Sequence, residues 1–329
     1  MRVVVAGGAG FLGSHLCERF LADGAEVICV DNFLTGRPEN VDALRAHPAF
    51  RLLRRDVTGP VDLAGPLDAV VNLASPASPV DYRALPLETL AAGARGTGRL
   101  LELARRKKAR LVLASTSEVY GDPQVHPQPE GYWGHVNPVG PRSMYDEAKR
   151  FAEALTTAHR ATHGTRTGIV RIFNTYGPRM RADDGRAVPT FVTQALAGKP
   201  LTVAGDGTQT RSLCYVDDLV DGLVRMTVGD HPGPVNLGNP EELSMLDLAR
   251  LVARLCGDQA PIAFVSRPPD DPGMRRPDVS LALAELDWRP RVTLADGLAR
   301  TIDWFRLRAA APPPVPRQPG PARLPAQDG

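Results

Sequence analysis

The chain has 329 residues, 43% of them apolar, and a formal charge of +2 from 39 basic and 37 acidic residues. That balance, with no long basic run, argues against a nucleic-acid-binding protein, and the length allows one large α/β domain plus a smaller one. Four scattered cysteines without a CxxC pair argue against a disulfide framework or zinc site, and no apolar run nears the ~18 residues that span a bilayer, so a soluble cytoplasmic protein, with no membrane partner, is expected.

"RVVVAG" reads as a strand, "FLGSHLCERFLADG" as a helix ending at Gly24, and "EVICVD" as a second strand, which makes one βαβ unit. The connection sets Gly7, Gly10 and Gly13 in a GxxGxxG spacing around Phe11 and Leu12. Glycines there allow a tight turn and close approach of a pyrophosphate to a helix N-terminus. A glycine triplet alone is weak evidence, but Asp31 ends the second strand, where a carboxylate accepts hydrogen bonds from ribose hydroxyls and repels a 2′-phosphate. NAD is therefore expected rather than NADP, with Asn32, Phe33, Thr35 and Gly36 following on the same loop. Asp56, beside Val57 at the end of a third strand, either reaches the adenine or caps a turn.

"DAVVNLA" is the next strand and carries Leu73 and Ala74 to the cofactor. A helical pattern over about 86–107, the strand "ARLVLAS", a helix over about 143–163 and the strand "RTGIVRIF" continue the alternation. The fold expected for residues 1–175 is a Rossmann-type doubly wound parallel sheet of the α/β class. Thr116, Ser117 and Glu118 then stand at a strand carboxyl end, where such sheets hold ligands. In "MYDEAK" Tyr145 and Lys149 are four apart on one helix face, and an ammonium near a phenol favours the phenolate of a general base. Over 176–306 the pattern loosens into a smaller substrate-binding domain, with "SLCYV" and "PVNLG" as segments able to rejoin the main sheet. Residues 307–329 are Pro-rich, without periodicity, and are expected to be disordered. His159 and His163 lie one turn apart, but no third ligand accompanies them, and no metal is expected.

In chain order, "GGAGFLG", Asp31, "LASPASP", "STSEVYG", "YDEAK", "RIFNTYGP", "GDGTQTRSLCYVDD" and "DDPGMRRPD" make the chain resemble the extended short-chain dehydrogenase/reductases that act on nucleotide sugars. Within that group it looks most like the UDP-glucuronate decarboxylases. The resemblance implies bound NAD, with Tyr145 and Lys149 also touching it, and UDP-glucuronate as substrate. Tyr145 would take the C4 hydroxyl proton, aided by Thr116, Ser117 and Lys149, to give a 4-ketone; carbon dioxide then leaves, C5 is protonated and C4 is reduced again to UDP-xylose. Glu118 would order contacts around the C5 carboxylate and Arg275 would bind it, unless Arg275 is only a partner of Asp270, Asp271 or Asp278. Further substrate contacts implied are Pro76, Ala77, Ser78, Tyr82, Asn174, Arg179, Val188, Gln209, Arg211 on the diphosphate, and Tyr215. A homodimer through a four-helix bundle of the 86–107 and 143–163 helices is also implied.

The chain departs from the family pattern at Gly93, Ala204, Met144 and Ala148, where Asn, an aromatic residue, Cys and Gly are usual. Two enzyme alternatives share the scaffold. A 4,6-dehydratase needs an acid where Ser117 offers none, and a 4-epimerase has no use for the carboxylate of Glu118. A non-catalytic NAD-binding module is the alternative of another class.

Overall fold

The computed structural model describes residues 1–257, 260–267 and 273–310. β1 (Arg2–Ala6) leads through α1 (Phe11–Ala22) to β2 (Glu26–Asp31), and then come β3 (Phe50–Arg54) and β4 (Ala69–Asn72). Next are α2 (Pro79–Ala84), α3 (Pro86–Ala91), α4 (Thr97–Lys107), β5 (Arg110–Thr116), α5 (Ser143–His163) and β6 (Thr167–Ile172). The rest comprises β7 (Thr175–Tyr176), α6 (Ala187–Leu196), β8 (Leu201–Ala204), β9 (Thr210–Ser212), β10 (Cys214–Tyr215), α7 (Val216–Val228) and β11 (Val235–Leu237). β12 (Glu242–Ser244), α8 (Met245–Leu255), β13 (Ile262–Val265), α9 (Ser280–Leu286) and α10 (Leu294–Ala310) complete it.

Seven strands make one parallel sheet in the order β11-β6-β5-β4-β1-β2-β3. Side chains alternate across a strand, so Val3 and Val5 of β1 join one apolar cluster while Val4 and Ala6 join the other. Both faces are thereby buried, which is why these strands read as unbroken Val/Ile/Leu runs. From β1 the chain winds outward to β3, then resumes on the other side of β1 with β4. That reversal opens a crevice at the strands' carboxyl ends.

The sheet takes "PVNLG" back as β11, paired with β6 through Val235 and Val170. "SLCYV" does not return to it; β10 pairs with β7, and β12 with β9 and β13 with β8 form two further small sheets. The helix expected over 86–107 is interrupted, since Ala92–Gly96 widen into a π-helical turn between α3 and α4. Here the helix touches α5: a Cβ on Gly93 would lie 2.7 Å from both the Cβ and the carbonyl oxygen of Ala148. Residues 307–310, expected as disordered, lie in α10. That helix is anchored by buried Leu298, Ile302 and Phe305, and the remainder of the tail, 311–329, lies outside the described residues. No helix among the described residues is long and apolar enough to cross a membrane.

Candidate active site

At the nucleotide end the first loop follows β1 directly. Gly7 has φ +77, the left-handed region that a side chain resists. A Cβ on Gly13 would stand 2.1 Å from the Gly7 carbonyl oxygen, so only glycine lets α1 begin this close to the loop. No side chain caps α1 at Gly10, which leaves first-turn N–H groups of Phe11 and Leu12 for an anion. Asp31 accepts the backbone N–H groups of Ala9 at 2.9 Å and Phe33 at 2.8 Å; burial raises its carboxyl and those bonds oppose the rise. Asn32 donates to Asp56 at 2.9 Å, and Asp56 also accepts the N–H and hydroxyl of Thr58. Gly7, Gly10, Asp31, Asn32, Thr35, Gly36, Asp56, Val57, Leu73, Ala74 and Pro76 line one cavity. An ungated glycine cradle, an acid at ribose height and a walled pocket beyond it fit a dinucleotide.

At the chemical end Thr116 closes β5 and Ser117–Tyr120 turn away as a short 3₁₀ segment. The Thr116 hydroxyl lies close enough to Tyr145 to favour its phenolate and accepts the Glu118 N–H at 3.2 Å. Ser117 is buried beside them. Tyr145 sits in the first turn of α5, and its ring stacks on that of Tyr82 with centroids 5.0 Å apart. Lys149 lies one turn further on, Nζ 5.8 Å from the Tyr145 ring centroid, and donates to the Ala114 carbonyl at 2.9 Å. Burial lowers its ammonium to about 8, against the pull of Glu153.

The expected lowering of the phenol is not found in this geometry. Burial pushes Tyr145 well above its usual value, although Thr116 and the more distant Arg186 guanidinium act the other way. Glu118 behaves oppositely. Burial would raise its carboxyl, but Arg275 and Arg142, each bonded to one of its oxygens, overcome that cost and hold it at about 2. Arg275 also donates to the Gly121 carbonyl at 3.2 Å, so its partner among the described residues is Glu118 rather than Asp278. Asp270 and Asp271 lie outside the described residues.

Residues 3–238 match the model of the NAD dependent epimerase/dehydratase family. The chain belongs to that family. Among curated relatives, UDP-glucuronic acid decarboxylase 3 of Arabidopsis thaliana is 50% identical over 313 residues, covering 95% of this chain and 91% of that protein. UDP-glucuronic acid decarboxylase 1 of Xenopus tropicalis is 50% identical over 93% of this chain and 72% of its own. Among solved structures, the UDP-glucuronic acid 4-epimerase of Bacillus cereus in complex with UDP-glucuronic acid and NAD superposes with a TM-score of 0.82 at 30% identity, covering 94% of this chain and 100% of that one. The dTDP-glucose 4,6-dehydratase DesIV of Streptomyces venezuelae, with NAD bound, reaches 0.85 at 30% identity over 93% of this chain and 97% of its own.

Other residues expected at the sugar of this family member divide into two sets. Tyr82 reaches the cluster, fully buried, with its hydroxyl lacking a protein partner. Ser78 caps α2 by accepting the Asp81 N–H, Ala77 is exposed beside it, and Asn174 accepts the Cys214 N–H through its carbonyl. Val188 is buried in α6, Gln209 donates to the Ala204 carbonyl at 2.8 Å, and Arg211 donates to the Thr210 carbonyl at 2.8 Å. Arg179 pairs with Glu18 of α1 at 2.5 Å, and the Tyr215 ring packs on Tyr176 with the Arg300 guanidinium over it. Sequence reasoning missed Arg142, Asp146 and Arg186. Asp146 lay in plain view inside "YDEAK"; Arg142 gave no local signal, because its partner Glu118 lies in another segment, and Arg186 pairs with its neighbour Asp184, so its effect on Tyr145 could not be read along the chain.

Proposed function

We propose that the chain converts UDP-glucuronate to UDP-xylose and carbon dioxide with NAD. The observation that carries this reading is the convergence of two guanidinium groups, Arg142 and Arg275, on Glu118 beside the Tyr145–Thr116 pair. Such a pocket suits a second carboxylate, and the decarboxylase relatives make UDP-glucuronate the candidate. When bound, NAD supplies the acceptor for the C4 hydrogen and its later return. Tyr145 takes the O4 proton while Thr116 holds that oxygen, and Lys149 steadies the phenolate from the next turn. The C5 carboxylate is then β to a ketone, which accepts the electron pair of the breaking C–C bond. Arg142 and Arg275, oriented by Glu118, hold that carboxylate until carbon dioxide departs, and C5 then takes up a proton.

The roles given to the residues above belong to this proposal. So do a division of labour between 1–175 and 176–306, a cytoplasmic location, supported by four free cysteines, and a homodimer through α3, α4 and α5. Exposed Leu87 and Phe151 on those helices support the dimer, and sedimentation at twice the chain mass tests it. The experiment for the reaction is incubation with UDP-glucuronate followed by mass spectrometry of the sugar nucleotide. Loss of carbon dioxide is the expected result; retention of all six sugar carbons favours the 4-epimerase reading, for which the UDP-glucuronic acid 4-epimerase likeness speaks.

A further inference from the structure

Breaking a carboxylate from carbon and leaving a C–H bond in its place consumes one proton: RCOO⁻ + H⁺ → RH + CO2. The proton that Tyr145 takes from O4 is owed back to O4 when the ketone is reduced, so C5 needs a separate source. Glu118 is ionised between its two arginines, and a guanidinium parts with a proton only at very high pH.

Asp146 follows Tyr145 on α5 and stands one turn beyond Arg142. It is 6% exposed, and its Oδ1 is buried without a protein partner, as is the hydroxyl of Tyr82. The Arg142 guanidinium lies over the Tyr82 ring, 5.9 Å from its centroid. Asp146 thus shares one desolvated cluster with Glu118 from the turn after β5, Arg142 from the start of α5, Arg275 from the 273–279 loop and Tyr82 from α2. Glu147 faces it from its own helix. Among the other described charges on elements packed against α5, Arg95 faces Asp56, Arg171 of β6 is taken by Glu153, and Glu88 of α3 lines the nucleotide cavity.

We propose that Asp146 is the proton store for C5, a positioning residue that acts through Glu118. This rests on the decarboxylase reading above. As carbon dioxide leaves, the O–H bond of Asp146 breaks and its proton passes by way of the ionised Glu118 carboxylate to C5, where the enolate's electron pair forms the C–H bond. Glu118 ends ionised as it began, Asp146 is left a carboxylate near Arg142 and Arg275, and solvent restores its proton before the next turnover. Burial, then the neighbouring charge of Glu118, raise this carboxyl to about 7, with the two arginines opposing, so it holds a proton in a large share of molecules near neutrality and in more of them below it.

The protonated form is the working one, so wild-type kcat should fall as pH rises through about 7. In Asp146→Asn that limb should vanish, with kcat about a hundredfold lower, KM little changed, and the 4-keto pentose nucleotide appearing in solution by mass spectrometry. Asp146→Glu keeps a titrating carboxyl, so its limb should persist at a shifted pH with most of the rate restored. An alkaline limb unmoved in either variant overturns the assignment, as does Asp146→Asn with wild-type kcat. If Asp146→Asn does not fold, the limb of Asp146→Glu alone decides. Wild-type enzyme that releases no carbon dioxide refutes the decarboxylase reading itself; release together with an unmoved limb refutes only the role of Asp146.

Discussion

The two ends of the crevice are built on opposite plans. At the nucleotide end, what meets a ligand is mostly backbone, together with Asp31 and Asp56, each held by partners within its own loop or one neighbouring loop. At the chemical end, Tyr145 and Arg275 are buried and Glu118 half-buried, from segments more than a hundred residues apart at the extremes, and the protonation states of Glu118 and Tyr145 depend on the groups around them. Shape rules the first end and mutual electrostatics the second. A pocket of fixed N–H groups has its charge complement built into the peptide, whereas a cluster of ionisable groups in a dry site must be balanced group by group.

That contrast predicts that changes at the chemical end should break turnover and spare binding, while changes at the nucleotide end should do the reverse. The largest effect is expected for Tyr145→Phe, which removes the group proposed to receive the O4 proton. Turnover measured by carbon dioxide release should drop by about a thousandfold, with NAD and UDP affinity retained by calorimetry. An unchanged rate would eliminate the tyrosine from the chemistry.

Next in size is Gly13→Ala. The added methyl would meet the Gly7 carbonyl at 2.1 Å and the Gly8 Cα at 2.7 Å, both backbone, so the loop must shift at a cost of about 1–3 kcal/mol. NAD affinity should fall by about tenfold to a hundredfold, seen in a titration, and the protein should melt earlier. Affinity equal to wild type would show that the loop yields freely and that shape does not rule this end.

The smallest of the three is Glu118→Gln, which keeps the shape and removes the charge between Arg142 and Arg275. Turnover should fall by about tenfold or more with substrate affinity nearly kept. Equal loss of UDP binding would make Glu118 structural and blur the contrast.

The two ends also differ in how far they were legible. The strand, glycine loop, helix and Asp31 lie within some thirty consecutive positions, so their spacing already implies their geometry. Tyr145 and Lys149 were legible for the same reason, being one turn apart on a single helix. What stayed hidden was the charge state of the phenol. Spacing announces a nearby ammonium but not the depth of burial, and in the folded chain burial wins. Arg142 was invisible because nothing local distinguishes a half-buried, paired arginine at a helix start from a solvated one.

The sequence by itself determined the alternating strands and helices, the cofactor loop and the placing of Tyr145 one turn before Lys149, since these follow from periodicity and from steric demands over a few residues. Tertiary structure alone decided that β11 returns to the main sheet, that the 86–107 helix opens into a π turn against Ala148, and that two arginines meet on one carboxylate with Asp146 beside them. Contacts between distant segments, and the desolvation they impose, are properties of the packed chain; no window of residues contains them.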